Sequence, residues 1–174
     1  MQYDPKQANS PPAPIEPTGF FTGIQFRPIF MGVIVDTLAT MALTTAYYSF
    51  VVAKELADKG VGDEDAFAEY WASSDGLMAS LLLGSLGTLI GGFYAAYKAG
   101  TLEMKHGALV GIGSILLGLL LTGGAESQTP EWFMALSFAA AIPAGALGGF
   151  LAEMFKGAAG SGHSSRPPGW PSSR

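Results

Sequence analysis

The residue best placed to do chemistry in this sequence is Asp36, which lies inside a long apolar segment. Thr40 and Thr44 follow at intervals of four residues, so the three side chains form one polar stripe if the segment is helical. A charged group at the centre of a bilayer costs at least ~2.5 kcal/mol, and residues that persist there commonly carry ions or protons. The stripe could therefore bind a cation, relay a proton, or hold a polar group of a lipid or cofactor.

A structural role for Asp36 is the alternative, and the sequence favours it. A neutral carboxyl group can hydrogen-bond to a neighbouring helix or to another subunit. No Lys or Arg lies within another predicted span to neutralise its charge. A transport role would need a second polar group that faces Asp36 inside the membrane. The available candidates are all uncharged: Ser80, Ser85, Thr88 and Ser114.

His106 is the one histidine near a predicted span. A histidine in an apolar pocket can be an axial ligand of haem or a chlorin. His106 instead lies beside Glu103 and Lys105 at the start of a span, which is typical of an interfacial residue that caps a helix. We therefore predict no cofactor, and a bound pigment or lipid stays an open alternative.

Patterns for catalysis and metal binding are missing from the sequence. There is no Cys, which excludes disulfides and thiol chemistry. The acids between residues 63 and 69 do not have the spacing of a calcium loop, and no phosphate-binding loop occurs. A net charge of −5 argues against a nucleic-acid partner. We expect a protein that is not an enzyme.

Four long apolar segments must position these side chains. Charged residues make up only 13% of the chain, and they are concentrated in the tails and the connections. Each segment has close to the ~20 residues that cross a bilayer. We therefore predict an all-α membrane protein with a transmembrane domain at 23–156, between flexible tails at 1–22 and 157–174. The predicted spans are about 28–53, 76–97, 106–122 and 131–155.

The connection between the first two spans is acidic and carries aromatic residues. Phe67, Tyr70 and Trp71 share one face of a short helix predicted at about 63–72. We expect this helix to lie on the membrane surface with its aromatic face toward the lipid. Tyr70, Trp71 and Trp132 are the predicted interface anchors.

Lysine and arginine counts predict the orientation. Seven of these residues are in the two tails and the second connection, whereas two are in the first connection. The positive-inside rule then places both termini in the cytoplasm. We expect a multi-pass protein of a bacterial inner membrane, either cytoplasmic or intracytoplasmic.

Small residues recur at four-residue spacing on three spans. In a bilayer such rows allow helices to approach closely and supply packing energy. The predicted packing positions are Gly84, Thr88, Gly92, Gly107, Gly111, Gly145 and Gly149.

Two similar segments close the second and fourth spans. One begins Gly91-Gly92-Phe93 and the other Gly148-Gly149-Phe150, as two repeated helical hairpins would produce. The first of these, with the segment His106-Gly107-Ala108 through Gly111, resembles a class of small uncharacterised four-helix bacterial membrane proteins. They have G-G-x-x-A at the end of one span and H-G-A-x-x-G at the start of the next. The resemblance implies a four-helix membrane fold and carries no activity.

Two functions remain for such a chain. The preferred one is a non-catalytic accessory subunit, a structural part of a larger membrane complex such as a respiratory or photosynthetic assembly, with other membrane subunits and the lipid bilayer as partners. The alternative is a component of a small ion, proton or solute transporter that uses Asp36, Thr40 and Thr44. Four helices are few for a closed pathway, so this alternative implies a homo-oligomer.

Overall fold

The computed structural model describes residue 19 and residues 21–60, 64–122 and 130–160. Most of the two predicted tails lies outside these residues. The described part contains helices and turns and no strand. The helices are α1 (Phe26–Tyr47), α2 (Ala53–Asp58), α3 (Glu64–Ala72), α4 (Ser74–Ala99), α5 (Glu103–Thr122) and α6 (Glu131–Gly160). A π-helical turn, Tyr48–Val52, joins α1 to α2, so the first span continues as one helical segment to Asp58.

Four of these helical segments are long and apolar enough to cross a membrane, which confirms the predicted all-α membrane fold. The segments are Phe26–Asp58, Ser74–Ala99, Glu103–Leu121 and Glu131–Gly157. Helices α1 and α6 each pack against both α4 and α5. We call one end of the bundle the His106 end, where Gln25, Ala99 and Lys156 also lie. The opposite end, which holds α3, is the Trp71 end.

Short connections fix the order of the helices. At the His106 end, Gly100 ends α4 with a left-handed φ of 72°, a conformation that glycine adopts without steric cost. At the Trp71 end, the Ser73 hydroxyl accepts a bond from the Gly76 N–H and so caps the start of α4. Neighbouring spans are therefore antiparallel.

The inside of the bundle is made of small side chains and the outside of large ones. Ala95, Ala96 and Ala152 are fully buried, whereas Phe30 and Leu120 are exposed. In water this distribution would expose a large apolar surface, but in a bilayer the same surface faces lipid. The packing energy must therefore come from close contact between backbones.

Close backbone contacts between the four spans are concentrated in the half of the bundle nearest the His106 end. A methyl group on Gly107 would collide with the Gly145 carbonyl oxygen and lie 2.8 Å from the Gly149 nitrogen. One on Gly92 would lie 2.5 Å from the Gly145 carbonyl oxygen, and one on Gly111 would collide with the Ala141 carbonyl oxygen. These five predicted glycines all lie at helix crossings.

Gly84 was also predicted to pack against a helix, and this expectation was wrong. A methyl group added there would meet no atom within 4 Å. Gly84 lies nearer the Trp71 end, where it lines open space between the helices. The small-residue spacing is the same in both halves, so spacing alone does not distinguish a helix contact from a gap.

The aromatic face of α3 differs from the expected lipid-facing surface. Phe67 packs edge-on against Tyr48 with ring centroids 4.9 Å apart, and Trp71 lies 6.4 Å from Tyr47. The Tyr70 and Tyr47 hydroxyls are 2.7 Å apart and form a hydrogen bond. Burial, and to a smaller extent this bond, raises the pKa of Tyr70 above its ordinary value. The face therefore packs in part against Tyr47 and Tyr48 of the first predicted span, while Phe67 stays 42% exposed. Trp132 is exposed at the start of α6.

We expect Gly107→Ala to lower the unfolding midpoint in mild detergent, because the added methyl overlaps backbone atoms of α6 and overpacking costs about 1–3 kcal/mol. Gly84→Ala is the matched control: it adds the same methyl in open space, so the midpoint should not fall. Thermal unfolding followed by circular dichroism measures both. An equal fall of the midpoint in the two variants would contradict the conclusion that close helix contacts lie in the half nearest the His106 end.

Candidate functional site around Asp36

Asp36 is buried because glycines on α4 let that helix approach α1. Gly32 precedes Asp36 by one helical turn, and Gly91 faces both residues. A methyl on Gly91 would lie 2.7 Å from the Asp36 Cβ atom, so any larger residue would push the helices apart. Asp36 is left only 5% exposed between the helices.

Hydroxyl groups from three helices donate hydrogen bonds to the Asp36 carboxylate. The Thr40 hydroxyl lies 3.3 Å from Oδ1, and the Thr88 hydroxyl lies 3.2 Å from Oδ2. The Ser114 hydroxyl also donates to Oδ2. These donors come from α1, α4 and α5, so the carboxylate joins three of the four spans. Hydrogen bonds to the charged form offset part of the cost of burying it.

Thr88 has a second acceptor within reach. Its hydroxyl oxygen is 3.0 Å from the Gly84 carbonyl oxygen as well as 3.2 Å from Asp36 Oδ2. A hydroxyl carries one hydrogen. With a charged Asp36, Thr88 donates to the carboxylate; with a protonated Asp36, the acid donates to Thr88, and Thr88 donates to Gly84. The same heavy-atom geometry therefore accommodates both protonation states.

A cavity of about 330 Å³ lies beside Asp36, with walls from all four spans. Hydroxyl groups line it in addition to those that bond Asp36: Thr37, Ser80, Ser85 and Ser137. The remaining wall is mostly apolar, with Leu121 and Phe138 among its members. A volume near 300 Å³ is at the lower limit for small-ligand pockets.

The cavity extends from Asp36 toward the Trp71 end and not toward the His106 end. Its lining includes Ser80 near the start of α4, Leu121 at the end of α5 and Phe138 near the start of α6. On the other side of Asp36, Gly32 contacts Gly91, Ala95 and Val110 closely, and Val110 is fully buried. Asp36 therefore lies at the closed inner end of a one-sided cavity.

The predicted polar stripe is only partly brought together. Thr40 bonds Asp36, as the helical spacing indicates. Thr44 lies outside the cavity lining. Thr88 was predicted both as a packing position and as a candidate polar group facing Asp36, and it supplies a hydroxyl to Asp36. Ser137 was missed, since a single serine in an apolar segment gives no periodic signal.

His106 is fully buried, and both of its ring nitrogens are hydrogen-bonded. Nε2 accepts a bond from the Gln25 backbone N–H at 3.0 Å, and Nδ1 lies 3.0 Å from the Leu102 carbonyl oxygen. A backbone N–H only donates and a carbonyl only accepts, so these partners make Nε2 the acceptor and Nδ1 the donor. A haem or chlorin would have to displace one of these bonds. His106 therefore caps the start of α1, a helix distant in sequence.

An ion pair also ties the spans together at this end. Lys156 Nζ lies 3.2 Å from Glu103 Oε1 and donates to the Ala96 carbonyl oxygen at 3.1 Å. The bond to Ala96 places a cation at the C-terminal end of α4, where the helix dipole favours positive charge. Together with the Gln25 side chain, which donates to the Ala99 carbonyl oxygen, it holds the His106 end closed.

No protein-family model, no curated protein and no solved structure matches this chain. The resemblance of the Gly91–Gly100 and His106–Gly111 segments to small four-helix membrane proteins therefore remains an expectation.

We expect His106→Ala to lower the unfolding midpoint, because it leaves the Gln25 N–H and the start of α1 without their partner at a cost of about 1–3 kcal/mol. Met104→Ala is the control, since Met104 is two residues away in α5 and is 51% exposed. Thermal unfolding in detergent compares them. A midpoint no lower for His106→Ala than for Met104→Ala would refute the capping role.

Proposed function

We propose that this protein is a non-enzymatic component of a membrane ion pathway that binds a small monovalent cation or a proton at Asp36. One observation carries the proposal: the Asp36 carboxylate receives three hydroxyl hydrogen bonds at the inner end of a cavity that opens toward one end of the bundle.

The donor atoms favour a hard cation of low charge. A carboxylate and hydroxyl oxygens are the ligands that hard cations prefer. Among the described residues, no group of three or more His, Asp or Glu residues could hold a metal ion. A single carboxylate neutralises one positive charge, so a monovalent ion or a proton fits better than a divalent ion.

A purely structural role accounts less well for the surroundings of Asp36. A carboxyl group that serves only as a contact between helices is expected in tight packing. Here an open cavity with four further hydroxyl-bearing residues adjoins it. The sequence argument required a second polar group facing Asp36 for a transport role. Thr88 and Ser114 occupy that position.

The closed His106 end suggests how such a site would be used. Alternating access requires the two ends of a pathway to open in turn around a fixed site. In this structure the tight glycine contacts and the Lys156 ion pair close one end. Passage would require those contacts to loosen, in a homo-oligomer or with other membrane subunits that supply the moving surface.

We expect Na⁺, Li⁺ or K⁺ to raise the unfolding midpoint of the purified protein, with choline replacing the ion at constant ionic strength. A ligand that binds only the folded state stabilises it in proportion to RT ln(1 + [L]/Kd). Asp36→Asn should abolish the increase. Thr40→Val should weaken binding roughly tenfold through loss of one ligand, and Thr44→Val is its control, because Thr44 lies outside the cavity.

A proton-only site gives a different result in the same experiment. The midpoint would then not respond to the ions, but its pH dependence would be lost in Asp36→Asn. If the midpoint responds to neither ions nor pH through Asp36, the proposal is refuted.

The accessory-subunit role makes a separate prediction. A subunit of a larger complex should co-migrate with it when native membranes are solubilised in mild detergent and separated by size, with mass-spectrometric identification. Recovery of the chain alone, as a monomer or homo-oligomer, would exclude that role and leave the ion-binding proposal intact.

A further inference from the structure

A second cavity, of about 510 Å³, lies at the His106 end between the start of α1 and the end of α4. Its polar lining comes from Gln25, Arg27, Tyr94 and Lys98. Phe26 and Met31 supply apolar surface beside these groups. The cavity is separate from the Asp36 site and shares no lining residue with it.

Two cations of this cavity have no anionic partner among the described residues. Arg27 and Lys98 are exposed and form no ion pair there. Lys98 Nζ lies 5.9 Å from the centre of the Tyr94 ring, which is its described contact. Lys59 and Lys156, in contrast, are paired with Glu55 and Glu103. The cavity is therefore a place of uncompensated positive charge.

The depth of these cations matches the headgroup region of a bilayer. Arg27 precedes Asp36 by nine residues, which is roughly 13 Å along a helix. Lys98 follows Thr88 by ten residues, which is roughly 15 Å. Half of the hydrocarbon core is about 15 Å thick. If the Asp36 layer lies near the bilayer centre, both cations reach the level of lipid phosphates.

An apolar stripe leads from the cavity toward the bilayer centre. Met31, Ile34 and Leu38 follow Arg27 at intervals that keep them on one side of α1, and all three are exposed. The stripe continues the apolar wall that Met31 contributes to the cavity. The cations of the cavity would thus meet the phosphate of a phospholipid, and the apolar stripe would meet its acyl chain, in the order in which the two groups occur in the lipid.

We propose that this cavity binds the phosphate group of an anionic phospholipid, with Arg27 and Lys98 against the phosphate oxygens and an acyl chain along Met31, Ile34 and Leu38. Charge complementarity selects the occupant, because Arg and Lys both bind phosphate and basic pockets between membrane helices bind acidic lipids. A net-neutral lipid would leave both positive charges of the pair uncompensated, whereas a lipid with one net negative charge compensates one of them. The proposal does not depend on cation binding at Asp36.

The test uses the full chain, delipidated in mild detergent and titrated with phosphatidylglycerol or phosphatidylcholine of identical acyl chains, with native mass spectrometry as the readout. The wild type should prefer phosphatidylglycerol by roughly tenfold or more, as expected for two cations near the membrane surface. Arg27→Gln with Lys98→Gln should remove that preference. The matched control is Lys54→Gln with Lys59→Gln, which makes the same charge change on cations near the Trp71 end and should keep it.

Three results would overturn the proposal. One is an absence of lipid preference in the wild type, and the second is equal loss in both double variants, which would indicate a general charge effect. The third is displacement of the lipid by inorganic phosphate at equal concentration, which would indicate a site for a soluble anion. Because Arg27 and Lys98 are exposed, their replacement should leave the unfolding midpoint unchanged, and that measurement verifies that the double variant is folded.

Discussion

The structure depends on direct backbone contact at glycine residues in the half of the bundle nearest the His106 end. Gly107 and Gly145 bring α5 and α6 together, and Gly92 brings α4 to the same point. In a bilayer the apolar side chains gain little by leaving lipid, so dispersion between closely packed helices supplies much of the association energy. Larger residues at these positions would separate the helices, and the hydroxyl groups around Asp36 would lose their geometry.

Asp36 lies between the half of the bundle with close glycine contacts, nearest the His106 end, and the half that contains the cavity. Gly91 and Gly87 on α4 bring that helix close enough for Thr88 to reach the carboxylate. Beyond this level a methyl group added at Gly84 would meet no atom within 4 Å, and Gly84 lines the cavity. Asp36 is therefore buried on one side by close helix contact and borders open space on the other.

The two ends of the bundle are held by different interactions. At the His106 end, polar groups bond to helix ends: His106 to the start of α1, and Lys156 to the C-terminal part of α4. At the Trp71 end, aromatic rings of α3 pack against Tyr47 and Tyr48, and the Tyr47 and Tyr70 hydroxyls share a hydrogen bond. The bonds to helix ends at the His106 end are directional and specific to one arrangement. An opening motion at the His106 end would therefore have to break identifiable hydrogen bonds.

The sequence by itself determined the fold class, because four apolar segments of membrane-spanning length have few alternatives to helices in a bilayer. It also identified Asp36 and Thr40, whose relation is local and follows from helical spacing. The tertiary structure decided the rest. Thr88 and Ser114 reach Asp36 only through contacts between helices distant in sequence, and Gly84 differs from Gly92 because it borders open space where Gly92 meets the backbone of α6. Helical periodicity defines which side chains share a face, but the distance between faces depends on how whole helices cross.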